Sequence, residues 1–130
     1  MPSSARTVLV CDDEELIRAV VADALEGEGY RVVQAANGRE ALDALGTPGT
    51  PGAMAPDGPC VVLLDMRMPV LDGWGFMREY RQRPGPRVPV VVMTAAQNAR
   101  KWCEEAGGDA CLPKPFDINK LLDTVERLAA

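Results

Sequence analysis

Apolar runs and amphipathic stretches alternate along the chain. Five short apolar runs are typical of buried β-strands, and each is followed by a stretch whose apolar residues recur at helical spacing. Strands that are apolar on both faces and alternate with helices indicate a doubly wound α/β fold, in which helices cover both faces of a parallel sheet. The predicted strands are residues 7–11, 31–35, 60–64, 88–93 and 110–112, and the predicted helices are residues 14–28, 38–45, 74–83, 98–106 and 117–128.

One segment interrupts this alternation. Residues 46–59 contain four Gly and four Pro, a composition that disfavours both helix and strand and predicts a flexible surface loop. The length of 130 residues fits one domain. We therefore expect a single domain over residues 1–130, with a core from about residue 7 to residue 128.

The charge balance restricts the partners of the chain. Fourteen Lys and Arg against nineteen Asp and Glu give a formal net charge of -5, which disfavours nucleic acid and anionic membrane surfaces. No apolar run is long enough for a transmembrane helix, and residues 1–6 are too short and too polar for a signal peptide. These features predict a cytoplasmic protein.

Histidine and cysteine content restricts the chemistry. The chain has no histidine, which excludes Ser-His-Asp and Cys-His nucleophile systems, phosphohistidine and the zinc sites that use histidine. The four cysteines are Cys11, Cys60, Cys103 and Cys111, and no two of them form a C-x-x-C pair. The even number of cysteines permits a disulfide framework. We nevertheless expect all four to be reduced, buried and unreactive thiols.

Polar residues follow the predicted strands. Asp12 and Asp13 follow the first strand, Asp65 follows the third, Thr94 follows the fourth, and Lys114 follows the fifth. If the first and third strands are neighbours, three carboxylates meet at one edge of the sheet. Their mutual repulsion would raise a pKa or destabilise the fold unless a cation binds among them. Carboxylate oxygens without histidine or thiolate favour Mg²⁺, with Mn²⁺ as an alternative. A lysine and a hydroxyl nearby would suit a phosphoryl group, so the residues predict Mg²⁺-assisted phosphoryl transfer to Asp65.

Four sequence motifs carry a resemblance to a known family over about residues 7–128. In this order they resemble the response-regulator receiver domain of two-component signalling. The resemblance implies a flavodoxin-like strand order of 2-1-3-4-5. The motifs are CDDE at 11–14, LLDMRMPVLDG at 63–73, MTA at 93–95 and LPKPF at 112–116.

The resemblance also implies roles for individual residues. It makes Asp65 the phosphoacceptor, with Mg²⁺ bound by Asp13, Asp65 and the backbone carbonyl of Arg67, and by Asp12 through water. These expectations agree with the hard-oxygen site predicted from the strand ends.

The remaining implied roles concern switching and partners. Thr94 would act as a switch, Lys114 would contact the phosphoryl group, and the peptide bond before Pro115 would be cis. The phosphoryl donor would be a histidine kinase or phosphotransfer protein. Output would go to a downstream protein or to a separate output domain, and a phosphorylation-dependent dimer is compatible with the family. The chain would be a signalling domain that catalyses only its own phosphorylation and dephosphorylation, and not an enzyme with metabolite turnover.

The sequence departs from the family pattern near its last strand. The position three residues before Lys114, which usually carries an aromatic switch residue, is Cys111. We expect a small core residue there, with redox sensitivity as the alternative. The stretch between Thr94 and Lys114 is shorter than usual and predicts truncation of the fourth helix or of the loop that precedes it. Trp102 in this region has core periodicity, with an exposed docking patch as the alternative.

Two positions are expected to tune the lifetime of the phosphorylated state. Arg67 lies two residues after Asp65, and Ala96 lies two residues after Thr94. Our hypothesis is that Arg67 partly covers the phosphoryl group, whereas Ala96 leaves room for an attacking water.

Two other functions remain open from the sequence. A haloacid-dehalogenase-type phosphatase also uses an Asp nucleophile, but it needs a second Asp where this chain has Arg67. A pseudo-receiver scaffold would bind partners without phosphorylation, although the intact acidic and lysine motifs disfavour it.

Overall fold

The protein is described from a computed structural model that covers residues 6–45, 60–83, 87–95, 97 and 99–129. Strands and helices alternate along the chain, as the sequence predicts. The elements are β1 (Thr7–Cys11), α1 (Glu15–Gly27), β2 (Arg31–Ala35), α2 (Gly38–Leu45), β3 (Val61–Asp65), α3 (Gly73–Gln82), β4 (Val90–Ala95), α4 (Ala99–Ala106), β5 (Ala110–Lys114) and α5 (Ile118–Ala129). The predicted loop at 46–59 lies outside the described residues.

The sheet is parallel, and its strand order is β2-β1-β3-β4-β5, which confirms the predicted fold class. The register aligns the carboxyl ends of neighbouring strands. Cys11 pairs with Leu64, and Ala95 pairs with Lys114. Residues that follow these strands therefore lie along one edge of the sheet.

The core has two layers, one on each face of the sheet. Alternate residues of the fully buried strand β3 belong to different layers. Val62 and Leu64 share a core cluster with side chains of α2, α3 and α4, whereas Val61 and Leu63 share the other cluster with side chains of α1 and α5. Burial of one such Val or Leu side chain contributes about 1.5–3 kcal/mol. This two-sided burial explains why the strand sequences are continuously apolar.

Strand β5 is longer than predicted. The sequence prediction ended it at residue 112, yet β5 continues through Pro113 to Lys114. Strand β5 is at the edge of the sheet, where a missing proline N–H removes no necessary ladder bond. This extension is what brings Lys114 level with the end of β4.

Helix α4 has eight residues and ends in a tight chain reversal. The N–H of Gly108 donates to the carbonyl of Cys103, and the N–H of Gly107 donates to the carbonyl of Glu104. Gly107 has a φ of 76°, the left-handed conformation that glycine adopts without a Cβ penalty. The chain then returns directly into β5.

The expectation that all four cysteines are reduced is wrong for two of them. Cys103 on α4 and Cys111 on β5 form a disulfide, with their Cα atoms 5.9 Å apart. The reversal at Gly107 brings the last turn of α4 alongside β5, so these two residues face each other. Cys11 and Cys60 are free, buried in one case and half-buried in the other.

The expectation that Cys111 is a small core residue is also wrong, because Cys111 is exposed. It lies on the edge strand, and the short helix α4 does not cover it. Cys103, by contrast, is buried with 4% exposure. Within the described ranges, no helix is both long enough and apolar enough to cross a membrane.

Candidate functional site

The ends of β1, β3 and β5 bring acidic and basic side chains together. Nζ of Lys114 lies 2.7 Å from Oδ2 of Asp12, 3.6 Å from Oδ1 of Asp65 and 4.0 Å from Oε1 of Glu14. Asp12 is fully buried, and Asp65 is 6% exposed. One ammonium group therefore lies between two buried carboxylates at the carboxyl edge of the sheet.

Both carboxylate oxygens of Asp12 have partners. Oδ1 accepts the backbone N–H of Glu14 at 2.9 Å, and Oδ2 accepts the ammonium of Lys114. Arg18 donates to the backbone carbonyl of Asp12 at 2.7 Å, which ties the first turn of α1 to the end of β1. Asp12 thus supports the start of the helix and the charged cluster together.

The electrostatics of the cluster favour a proton or a cation at Asp65. Burial raises the pKa of Asp65 to about 6; Lys114 acts against this rise, and the charges of Asp12 and Asp13 add to it. Burial lowers the pKa of Lys114, but the hydrogen bond to Asp12 and the charges of Asp65, Asp12 and Glu14 outweigh burial and raise it. Lys114 therefore stays charged while Asp65 carries its negative charge at an energetic cost.

The acidic residues fit a hard divalent cation. Ligand oxygens of Asp12, Asp13 and Glu14 lie within 4.8 Å of one another, and Asp13 and Glu14 are exposed. Carboxylate oxygens without nitrogen or sulfur donors are the ligand set of Mg²⁺. Glu14 is absent from the ligands predicted from the sequence, although the acidic run DDE at 12–14 was the available signal.

Thr94 lies at the end of β4 with an unused hydroxyl. The residue is 2% exposed, and its Oγ1 has no hydrogen-bond partner among the described residues. Leaving a buried hydroxyl unpaired costs about 1–3 kcal/mol. The hydroxyl is therefore available to a group that enters the site.

Arg67 contacts a helix in the described structure. Its guanidinium carbon lies 5.5 Å from the centre of the Trp102 ring, and Trp102 contacts Trp74 edge to face at 4.9 Å. Trp102 is half-buried and packs against the core, which favours the packing interpretation of its periodicity. The predicted covering of a phosphoryl group by Arg67 stays a prediction, and Ala96 lies outside the described residues.

The loop between β3 and α3 contains a strained residue. Val70 has a φ of 68° and is 81% exposed, and the N–H of Leu71 donates to the carbonyl of Pro69 across it. A β-branched residue in this conformation costs about 1–3 kcal/mol. Asp72 then caps α3 by accepting the N–H of Gly75 at 2.8 Å.

The loop is held in place on both sides. The N–H of Gly73 donates to the carbonyl of Met66, and the N–H of Gly38 donates to the carbonyl of Leu71. A Cβ at Gly73 would lie 2.7 Å from Cα of Met66, so this close approach requires glycine. On the opposite side of the site, the peptide bond between Lys114 and Pro115 is cis, the form that the resemblance implied.

Comparisons with known proteins agree with this architecture. One similar protein is the DNA-binding transcriptional regulator NtrC of Escherichia coli. It is 38% identical over 122 residues, which make up 92% of this chain and 24% of that protein. The response regulator MprA of Mycolicibacterium vanbaalenii is 37% identical over 93% of this chain and 49% of its own length. The chain thus spans about a quarter to a half of the length of these relatives.

Solved structures with the same fold cover almost the whole chain. A receiver domain of a sensor histidine kinase from Pseudomonas aeruginosa, with magnesium coordinated in its active site cleft, is 31% identical with a TM-score of 0.80, covering 97% of this chain and 98% of that one. The chemotaxis response regulator CheY4 of Vibrio cholerae is 29% identical with a TM-score of 0.77, covering 96% and 99%.

The family itself follows from a match over most of the sequence. The family described as the response regulator receiver domain matches residues 8–126, which include β2 to β5, all but the first residue of β1, and the acidic cluster with Lys114. The strand order and the residues at the strand ends are those expected from the resemblance. The chain belongs to the response regulator receiver domain family.

Proposed function

We propose that the domain accepts a phosphoryl group on Asp65 in a Mg²⁺-dependent reaction and switches partner binding as a result. The donor is the phosphohistidine of a histidine kinase or phosphotransfer protein. The observation that carries this proposal is the position of the Lys114 ammonium, 3.6 Å from Oδ1 of Asp65 and 2.7 Å from the buried Asp12. A cation placed there attracts the phosphoryl oxygens and leaves the Asp65 carboxylate as the nucleophile.

The residues divide the chemistry among them. An oxygen of Asp65 attacks phosphorus, the bond from phosphorus to the donor nitrogen breaks, and the leaving imidazole takes up a proton. Lys114 offsets the negative charge of the phosphoryl oxygens. The Thr94 hydroxyl, buried and without a partner among the described residues, donates to one of these oxygens.

The acidic cluster would hold the metal. Asp12, Asp13 and Glu14 offer clustered oxygens, and the resemblance adds Asp65 and the carbonyl of Arg67. When bound, Mg²⁺ supplies positive charge to the transferring group, and Mn²⁺ would do the same. The magnesium in the cleft of the Pseudomonas aeruginosa receiver domain supports this assignment.

Phosphorylation would change the contacts of Lys114 and Thr94 and so bias the face built from α4, β5 and α5. A downstream protein, or an output domain of a longer protein, would read that face. The longer relatives support the second arrangement, since one is called a DNA-binding transcriptional regulator. The cytoplasmic location and the phosphorylation-dependent dimer stay predictions.

A labelling experiment tests the proposal. The protein is incubated with acetyl phosphate and Mg²⁺, and intact mass and hydroxylamine sensitivity report an acyl phosphate. We expect one phosphoryl group on the wild type and none on Asp65→Asn. The matched control is Asp43→Asn, which removes an exposed carboxylate on α2. A chelator should abolish labelling, and Mn²⁺ should restore it.

Three outcomes would contradict the proposal. Unlabelled wild type in the presence of Mg²⁺ would favour the pseudo-receiver scaffold. Repeated hydrolysis of a generic phosphate ester would favour a haloacid-dehalogenase-type phosphatase. Labelling of Asp65→Asn at the wild-type rate would place the acceptor elsewhere.

A further inference from the structure

The Cys103–Cys111 disulfide has one buried and one exposed end. Cys103 is 4% exposed and belongs to the core beneath α4, whereas Cys111 is exposed on the edge strand β5. A thiolate from solvent can therefore reach Sγ of Cys111 but not Sγ of Cys103. Attack on Cys111 makes Cys103 the leaving sulfur.

The surroundings of Cys103 accommodate a thiol as well as a disulfide. Its Sγ lies 3.4 Å from the backbone carbonyl oxygen of Ala110. A disulfide sulfur has no proton to donate, but a Cys103 thiol would donate to this carbonyl. The neighbouring Gly108 has no side chain, and a Cβ there would lie 3.2 Å from Sγ of Cys103. The reduced state thus has a hydrogen-bond acceptor for the Cys103 thiol.

We propose that Cys103–Cys111 is a reversible thiol–disulfide exchange site that a dithiol opens by attack on Cys111. The thiolate of the dithiol bonds to Sγ of Cys111, the bond between the two protein sulfurs breaks, and Cys103 leaves as a thiolate that takes up a proton. The second thiol of the reagent then displaces Cys111, which also becomes a thiol. The protein gains two electrons and two protons, and the dithiol becomes a disulfide; the reverse exchange closes the site.

Opening the site changes how α4 is held. The disulfide is a covalent link between the last turn of this eight-residue helix and the edge strand. Without it, α4 keeps only noncovalent contacts, among them the packing of Trp102 against Trp74. The same helix and strand form part of the face that the proposed function uses for output. The signalling meaning of the exchange site rests on that proposed function, whereas the exchange chemistry does not.

Alkylation of the native protein tests the exchange chemistry. After incubation with dithiothreitol without denaturant, a thiol-alkylating reagent and peptide mapping should find the exposed Cys111 labelled, a gain of one group over the unreduced protein, while the buried Cys103 reacts more slowly. Opening only in denaturant would overturn the proposal. The free Cys11 is buried and serves as an internal measure of intact folding.

Two single variants test which sulfur is attacked. In Cys103→Ser the exposed Cys111 remains, and it should form a mixed disulfide with oxidised glutathione. In Cys111→Ser the buried Cys103 remains, and its reaction should be slower by at least about tenfold because the thiol is inaccessible. Equal rates, or faster reaction at Cys103, would overturn the proposed direction of attack.

Hydrogen exchange tests the effect on the helix. Reduction should speed amide exchange in α4 by about tenfold or more, while exchange in β1 stays unchanged. The double variant Cys103→Ser/Cys111→Ser should exchange at the reduced rate with or without dithiothreitol. Unchanged amide exchange in α4 after reduction would contradict the inference that the disulfide restrains this helix. Since these measurements need no phosphorylation, they can succeed or fail independently of labelling at Asp65.

Discussion

Replacing Asp65 by Asn should stabilise the metal-free protein, and the gain should grow as the pH rises. The pKa of Asp65 is about 6 in the folded chain, against 3.8 for the unperturbed group, mainly because the carboxyl is buried. Below pH 3.8 the residue is protonated in both states. Between pH 3.8 and about pH 6 the Asp65 carboxyl is protonated in the folded chain but ionised in the unfolded chain. The free energy of unfolding of the wild type therefore falls as the pH rises through this range.

The magnitude follows from the two pKa values. The difference between about 6 and 3.8 corresponds to about 3 kcal/mol, lost from the wild type by pH 7. Asp65 is 6% exposed, so little of this cost is relieved by solvent. Asn has nearly the same shape and carries no charge. The stability difference between Asp65→Asn and wild type should therefore increase by about 2.5 kcal/mol between pH 4 and pH 7, since a small part of the loss occurs below pH 4.

Urea unfolding with a chelator present measures this difference, with tryptophan fluorescence as the signal. Asp43→Asn measures the effect of removing one exposed carboxylate on α2. A difference that stays constant from pH 4 to pH 7 would refute the reasoning. So would a wild type that becomes relatively more stable as the pH rises, because that would mean that Lys114 outweighs the burial of Asp65.

Three further substitutions have expected outcomes. Replacing both Cys103 and Cys111 by Ser removes a disulfide whose two cysteines are eight residues apart in the sequence. The free energy of unfolding, measured in urea without reductant, should fall by about 2.5 kcal/mol. Dithiothreitol should destabilise the wild type by a similar amount and leave the double variant unchanged. Lys114→Met leaves the buried Asp12 without its cation and should cost about 3–5 kcal/mol at neutral pH in the same assay, with Lys114→Arg retaining part of the stability; higher stability would contradict the ion pair. Thr94→Val removes an unpaired buried hydroxyl, so stability should stay within about 1 kcal/mol or rise, while the tryptophan fluorescence change on treatment with beryllofluoride and Mg²⁺ should decrease.

The positions of the residues at the strand ends could be predicted from the sequence. A parallel sheet with buried strands aligns its carboxyl ends, so Asp12, Asp65, Thr94 and Lys114 had to share one edge once the strands were recognised. The strand order came from the family resemblance, because the apolar patterns of the five strands are too alike to rank them. The structure brings Lys114 between Asp12 and Asp65 as this reasoning requires.

Side-chain contacts across elements could not be predicted in the same way. The guanidinium of Arg67 reaches Trp102 because α4 lies beside the loop after β3, a relation that depends on the packing of α3 against α4. Residue spacing contains no information about that packing. The left-handed conformation of Val70 is a similar case, since a β-branched residue gives no local signal for it.

The disulfide differs from these contacts, because its geometry was present in the pattern. Cys103 and Cys111 each stand four residues from Gly107, where the chain reverses. Cys103 shares the buried stripe of α4 with Ala99 and Ala106, so it faces the sheet. Leu112 faces the layer beneath α1 and α5, and strand alternation therefore turns Cys111 towards α4. Both side chains therefore lie on the α4 side of β5, where Cys103 is buried and Cys111 is exposed. The expectation of reduced thiols came from the assumed cytosolic location and not from the fold.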